Sequence, residues 1–108
     1  MSKEFRVATR REVHGLVEVT DTMTGLRCAR LVDLSSTGMQ VAGPLPLTSD
    51  ALYQWRFALP GHDPEHPVQC GVHVLWTSTQ APGAYAAGLR FIQIDREARE
   101  AIRRWCEG

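Results

Sequence analysis

The sequence predicts an all-β fold with one C-terminal helix, in which six short antiparallel strands close as a small barrel or pack as a sandwich. Three observations carry this. Apolar residues alternate with polar ones in several short runs, turn-forming residues separate those runs, and only the last dozen residues change to a helical period. With 108 residues, 44% of them apolar, the chain is the size of one domain with one core.

The elements follow in order. Val13, Gly15, Val17 and Val19 share one parity and predict a first strand, which turns at Asp21-Thr22-Met23-Thr24-Gly25. The return over Arg27 to Leu34 puts Cys28, Arg30, Val32 and Leu34 on one face and Ala29, Leu31 and Asp33 on the other. After the turn at 33–38, Met39 and Val41 begin a third strand that Gly43-Pro44-Leu45-Pro46 stops, because proline cannot donate to a sheet ladder.

Tyr53, Trp55, Phe57 and Leu59 then give the clearest two-residue period in the chain, a half-buried fourth strand. At a sheet edge it would offer a dimer interface, and beneath the helix it would simply be core. Beyond the polar loop at 60–67, Val68, Cys70, Val72, Val74 and Trp76 form the fifth strand, and Gly83 opens the sixth through Tyr85, Ala87, Leu89 and Phe91. Asp95 is placed to cap a helix over 95–106, whose stripe of Ala98, Ala101, Ile102 and Trp105 should cover one open side of the sheet.

Charge narrows the function. The 12 basic and 12 acidic residues cancel, which argues against a general nucleic-acid binder and for a local site. Yet Lys3, Arg6, Arg10 and Arg11 meet only Glu4 in the first eleven residues. Residues 1–12 therefore read as a flexible basic arm ahead of a single domain at 13–108. No apolar stretch follows those charges as in a secretory signal, and no run is long enough to span a bilayer, so a soluble, cytoplasmic protein is expected.

Catalytic and metal constellations find little support. His62 and His66, beside Asp63 and Glu65, lie between prolines where a helical ligand face does not form. Ser35, Ser36, Cys28, Cys70 and Cys106 lack a nucleophile motif around them, and three widely spaced cysteines suit neither a disulfide framework nor zinc. Without a Walker or Rossmann glycine loop either, no enzyme, metal or cofactor is expected.

The arm and the turn at 33–38 remain. Taken separately they read as a solvated terminus and as local turn chemistry, with Asp33 and Ser35 bonding the backbone and Gly38 permitting a tight turn. Together, Arg6-Val7-Ala8-Thr9-Arg10 followed by Arg11, and Asp33-Leu34-Ser35-Ser36-Thr37-Gly38, make the chain resemble the PilZ domain family. That family carries Arg-x-x-x-Arg before its first strand and Asp/Asn-x-Ser-x-x-Gly after its second. Gly88-Leu89-Arg90-Phe91 before the final helix, and Trp76 at the end of the fifth strand, extend the likeness over nearly the whole chain. Rival registers of the first motif use Arg11 in place of Arg10, or pair Arg10 with His14.

The resemblance implies a six-stranded antiparallel β-barrel of the PilZ-like split-barrel type, capped by one α-helix. It also implies a non-enzymatic receptor for cyclic di-GMP, bound by Arg6, Arg10, Arg11, Asp33, Ser35, Gly38 and Trp76. The chemistry suits such a ligand, since guanidinium forks match phosphates and the O6/N7 edge of guanine. Asp33 can accept from the base, Ser35 offers a hydroxyl and Gly38 allows close approach. Trp76 offers a ring for stacking, although its parity with Val74 equally places it in the core or at its rim.

On this reading the arm orders on the ligand and presents a surface to a downstream protein partner. Two rivals stay open. One is a PilZ-like domain without ligand affinity that docks proteins in motility or pilus systems; the other is a barrel for single-stranded nucleic acid, which the zero net charge disfavours.

Overall fold

The computed structural model describes residues 8–108. Its elements are β1 (Arg11–Glu12), β2 (Glu18–Asp21), β3 (Arg27–Leu34), β4 (Gly38–Gly43), β5 (Leu52–Phe57), β6 (Val68–Ala81), β7 (Ala84–Ile94) and α1 (Arg96–Glu107). Neighbours run β3-β2-β5-β6-β7-β4, all antiparallel, and β4 pairs back onto β3. Six strands thus close into a barrel, and β1 adds to the part of β3 that extends past β2.

The core follows from the alternation. Val19, Leu31, Leu34, Val41, Trp55, Phe57, Val72 and Val74 are fully buried inside the ring. Each large apolar side chain so buried contributes about 1.5–3 kcal/mol of transfer free energy. The run Tyr53 to Leu59 is no edge, because β5 lies between β2 and β6.

The sequence reading needs two corrections here. The expected first strand over Val13 to Val19 is two pieces, because the chain leaves the sheet at Gly15 with φ +90°, a left-handed conformation that glycine adopts without penalty. Val13 N still donates to Val32 O and Leu31 N to Val17 O, so both flanks stay on β3. The second correction concerns faces. Leu31 pairs with Val41 and Asp33 with Gln40, which leaves Val32 as an extra residue in a bulge. Leu31 and Leu34 therefore both face the core and Arg30 and Asp33 both face outward, whereas strict alternation divides them otherwise.

Three further register shifts occur in the β6–β7 ribbon, one of them leaving Gln80 as the extra residue beside the turn. Val74 pairs with Leu89 and Trp76 with Gly88, so Leu75 is the extra residue and Trp76 turns to the outer face. Phe91 pairs with Val72 and Gln93 with Gly71, so Ile92 is extra and exposed.

Helix α1 starts as its sequence dictates. Asp95 Oδ1 accepts from Ala98 N at 2.7 Å, satisfying a donor that the first turn leaves free. Ile102 and Cys106 are buried against the barrel, and Ala98, Ala101 and Trp105 pack beside them. Arg103 bridges Glu100 and Glu107 on the solvent face. No helix among the described residues is long and apolar enough to cross a membrane.

The cysteines are free thiols, and burial sets their acidity. Burial, followed by the Asp21 charge, pushes Cys28 up from 9.0 to about 11, and burial alone pushes Cys70 up to about 12. The folded state thus favours the protonated thiol. Its contribution is fully present below pH 9.0 and is lost as pH rises through the folded values. Denaturation midpoints should accordingly fall above about pH 9, and Cys70→Ala should make that fall shallower. An unchanged alkaline slope in the variant would contradict this.

Candidate functional site

The turn between β3 and β4 is built by Ser35. Its hydroxyl accepts from Thr37 N and Gly38 N, each at 3.2 Å, while Ser35 N donates to Gly38 O at 2.9 Å. Ser35 is fully buried, so its hydroxyl shapes the turn from within and is not presented to solvent. Thr37 O then accepts from Phe91 N, tying the turn to β7.

Gly38 has a reason that the sequence does not display. A Cβ there would run into Leu89 O and stand 3.0 Å from Arg90 Cα, so this glycine lets the β4 and β7 backbones meet.

The Val32 bulge turns Asp33 outward beside Gln40. Asp33 Oδ1 accepts from Arg10 Nη1 at 2.6 Å, and Oδ2 accepts from Gln40 Nε2 at 2.8 Å. The carboxylate is only 10% exposed, whereas Arg10 is 47% exposed. Asp33 therefore serves as an arginine holder, with one guanidinium contact fixed and the Arg10 side chain left half-exposed. Gln40 escaped the sequence reading. Only the bulge makes it the outward cross-strand neighbour of Asp33.

Arg11 goes elsewhere. Its Nη1 donates to Trp105 O at 2.6 Å and its guanidinium lies 4.4 Å from the Trp105 ring centre, so it fastens β1 to α1. His14 is exposed and makes no hydrogen bond to the described residues. Arg6 lies outside the described residues.

Across the barrel, Asp33, Gln40, Gly88 and Trp76 form one outward row on β3, β4, β7 and β6. Three strand spacings of about 4.8 Å make it about 14 Å long. Trp76 is 42% exposed, and its indole lies over Gly88, where a Cβ would collide with the ring. The row thus combines a held but accessible guanidinium, a side-chain amide and an aromatic face, a set suited to an anionic ligand with planar bases. Arg90 adds a second exposed cation from β7, opposite Gly38.

The other candidates stay apart from it. His66 Nδ1 meets only its neighbour Asp63, at 2.9 Å, and the Glu65 N–H followed by His66 holds that carboxyl below its ordinary 3.8. Among the described residues, no three His, Cys, Asp or Glu side chains converge on a metal position. Cys106 donates to Leu34 O at 3.2 Å, which joins α1 to the end of β3.

A family model described as PilZ domain matches residues 3–108. Among curated proteins no sequence matches this one. Solved structures that share its fold include the following three. The Bacillus subtilis inhibitor of motility, MotI/DgrA, superposes with a TM-score of 0.76 at 15% identity, over 97% of this chain and 50% of that one. The PilZ domain of YcgR from Escherichia coli, with c-di-GMP, gives 0.68 at 14% identity, over 96% and 90%. MrkH of K. pneumonia in its apo state gives 0.67 at 15% identity, over 97% and 50%. The chain thus spans about half the length of the MotI/DgrA and MrkH chains.

Proposed function

Since the chain belongs to the PilZ domain family, we propose that it is a cyclic di-GMP receptor that performs no chemistry and acts by presenting a ligand-dependent surface to a protein partner. The observation that carries this reading is the Arg10–Asp33–Gln40 chain standing in one outward row with Trp76. The related YcgR domain, whose structure contains c-di-GMP, supports the choice of ligand.

On this reading each residue has a physical task. Arg10, held by Asp33, directs its remaining N–H groups to a phosphate or to guanine O6 and N7. Trp76 stacks on a base. Ser35 and Gly38 set the turn that places Asp33, and Gln40 fixes the second carboxylate oxygen. Arg6, by its place in the Arg-x-x-x-Arg motif, closes over the ligand from the arm, and Arg11 anchors that arm to α1. Closure of residues ahead of Arg10 over the ligand is the signal.

Titration calorimetry with cyclic di-GMP tests this. The wild-type chain should bind, Arg10→Ala should weaken binding about 100-fold, and Trp76→Ala should weaken it by about one stacking contact, about tenfold. Silence from the wild type would overturn the reading and leave a domain that docks proteins without the ligand. Binding of any oligonucleotide with a steep salt dependence and no preference for the cyclic dinucleotide would overturn it in favour of a single-strand binder.

A further inference from the structure

Each of the six barrel strands has a neighbour on both sides, but β6 is much longer than the β5 beside it. Pairing with β5 ends at His73. The last bonds on that side hold Val74, whose N–H donates to Ala51 O and whose carbonyl accepts from Asp50 N. From Leu75 to Ala81 the strand continues with β7 alone as its backbone partner among the described residues. Seven residues at about 3.3 Å each leave about 23 Å of open edge, along which alternate residues turn an unpaired N–H and C=O outward.

Such an edge is ordinarily guarded by charged side chains, by proline or by bulges. Here the segment reads Leu-Trp-Thr-Ser-Thr-Gln-Ala, without a charge or a proline, and every residue but Ser78 is exposed. The bulges at Leu75 and Gln80 bracket it and leave Trp76 to Thr79 as a regular stretch. An antiparallel edge is complementary to itself, because a two-fold axis through one residue pair sets donors opposite acceptors on both sides. With the 12 basic and 12 acidic residues of each chain in balance, two copies approach without net repulsion.

We propose that the chain forms a two-fold dimer in which the open edge of β6 pairs antiparallel with the same edge of a second copy, about an axis at Ser78. Position 77 of each copy then lies opposite position 79 of the other, which makes two threonine pairs of the kind favoured across strands. The two β6–β7 ribbons become one four-stranded sheet. Because each copy spends the same edge, the assembly closes at two and does not grow into a filament. A strand pair of this length buries less than the roughly 1,200 Å² of a standard interface, so the dimer is weak. This inference stands apart from the ligand reading.

Sedimentation equilibrium of the ligand-free chain up to about 1 mM tests this, with a monomer–dimer Kd of about 0.1–1 mM expected. Thr77→Lys/Thr79→Lys sets like charges opposite one another and should weaken the dimer at least about tenfold. Thr77→Lys/Thr79→Glu sets opposite charges across the axis and should return the Kd to within about threefold of the wild type. A wild type that stays monomeric over this range overturns the proposal. So does a dimer that the double lysine variant leaves intact, since its interface would lie elsewhere. Both threonines are exposed, so the variants should fold. If either does not, the amide resonances of Thr77, Ser78 and Thr79 in the wild type must move with protein concentration, and their constancy overturns the dimer.

Discussion

Gly38→Ala is expected to lower the melting temperature by about 10–20 °C, the consequence of about 2–3 kcal/mol of overpacking in a domain of this size. The methyl group would enter the space of Leu89 O, next to Arg90 Cα. Both obstacles are backbone, so no side-chain rotation relieves them. The strands must separate where Gly38 faces Arg90 and Met39 faces Leu89, and the Phe91 N to Thr37 O bond is strained with them. Thermal denaturation followed by circular dichroism measures this in the absence of any ligand. A variant melting within about 2 °C of the wild type would mean that β4 and β7 part easily and that the glycine is needed only for ligand approach.

Asp33→Ala should reduce cyclic di-GMP affinity about 30- to 100-fold, as expected when a charge-assisted contact of about 2–3 kcal/mol no longer fixes the binding arginine. The carboxylate is the common acceptor of Arg10 and Gln40. Without it the Arg10 fork regains its rotamer freedom, and ordering it again falls on the ligand. The sign of the effect is diagnostic. If Asp33 merely placed a negative charge beside an anionic ligand, its removal would tighten binding. Because Asp33 acts through Arg10, the double variant Arg10→Ala/Asp33→Ala should lose little more than either single one, whereas additive losses would show independent contacts.

Much of this was legible in the sequence, and the failures share a cause. The alternation of Tyr53, Trp55, Phe57 and Leu59 fixes β5 because a strand buried on one face needs that period, and Asp95 marks the helix start because a free N–H in the first turn needs an acceptor. Strict alternation fails wherever one strand carries an extra residue. Val32 and Leu75 are such residues, and they decide that Asp33 and Trp76 share an outer surface. Nothing in the side chains of Val32 or Leu75 distinguishes them from neighbouring strand residues, since a bulge is settled by the pairing partner. For the same reason Gln40 escaped notice: it matters through the strand beside it. Gly38 was recognisable as essential, but its reason, the passage of β7, lies more than 50 residues away in sequence.

The stacking of Arg11 on Trp105 joins positions 94 residues apart, almost the whole described chain. A contact of that span forms only after the intervening strands have found their partners, because closing so long a loop early carries an entropic cost with no compensating interactions. It is therefore expected to form late in folding. Loss of this contact, as in Arg11→Ala, is therefore expected to speed unfolding more than it slows folding.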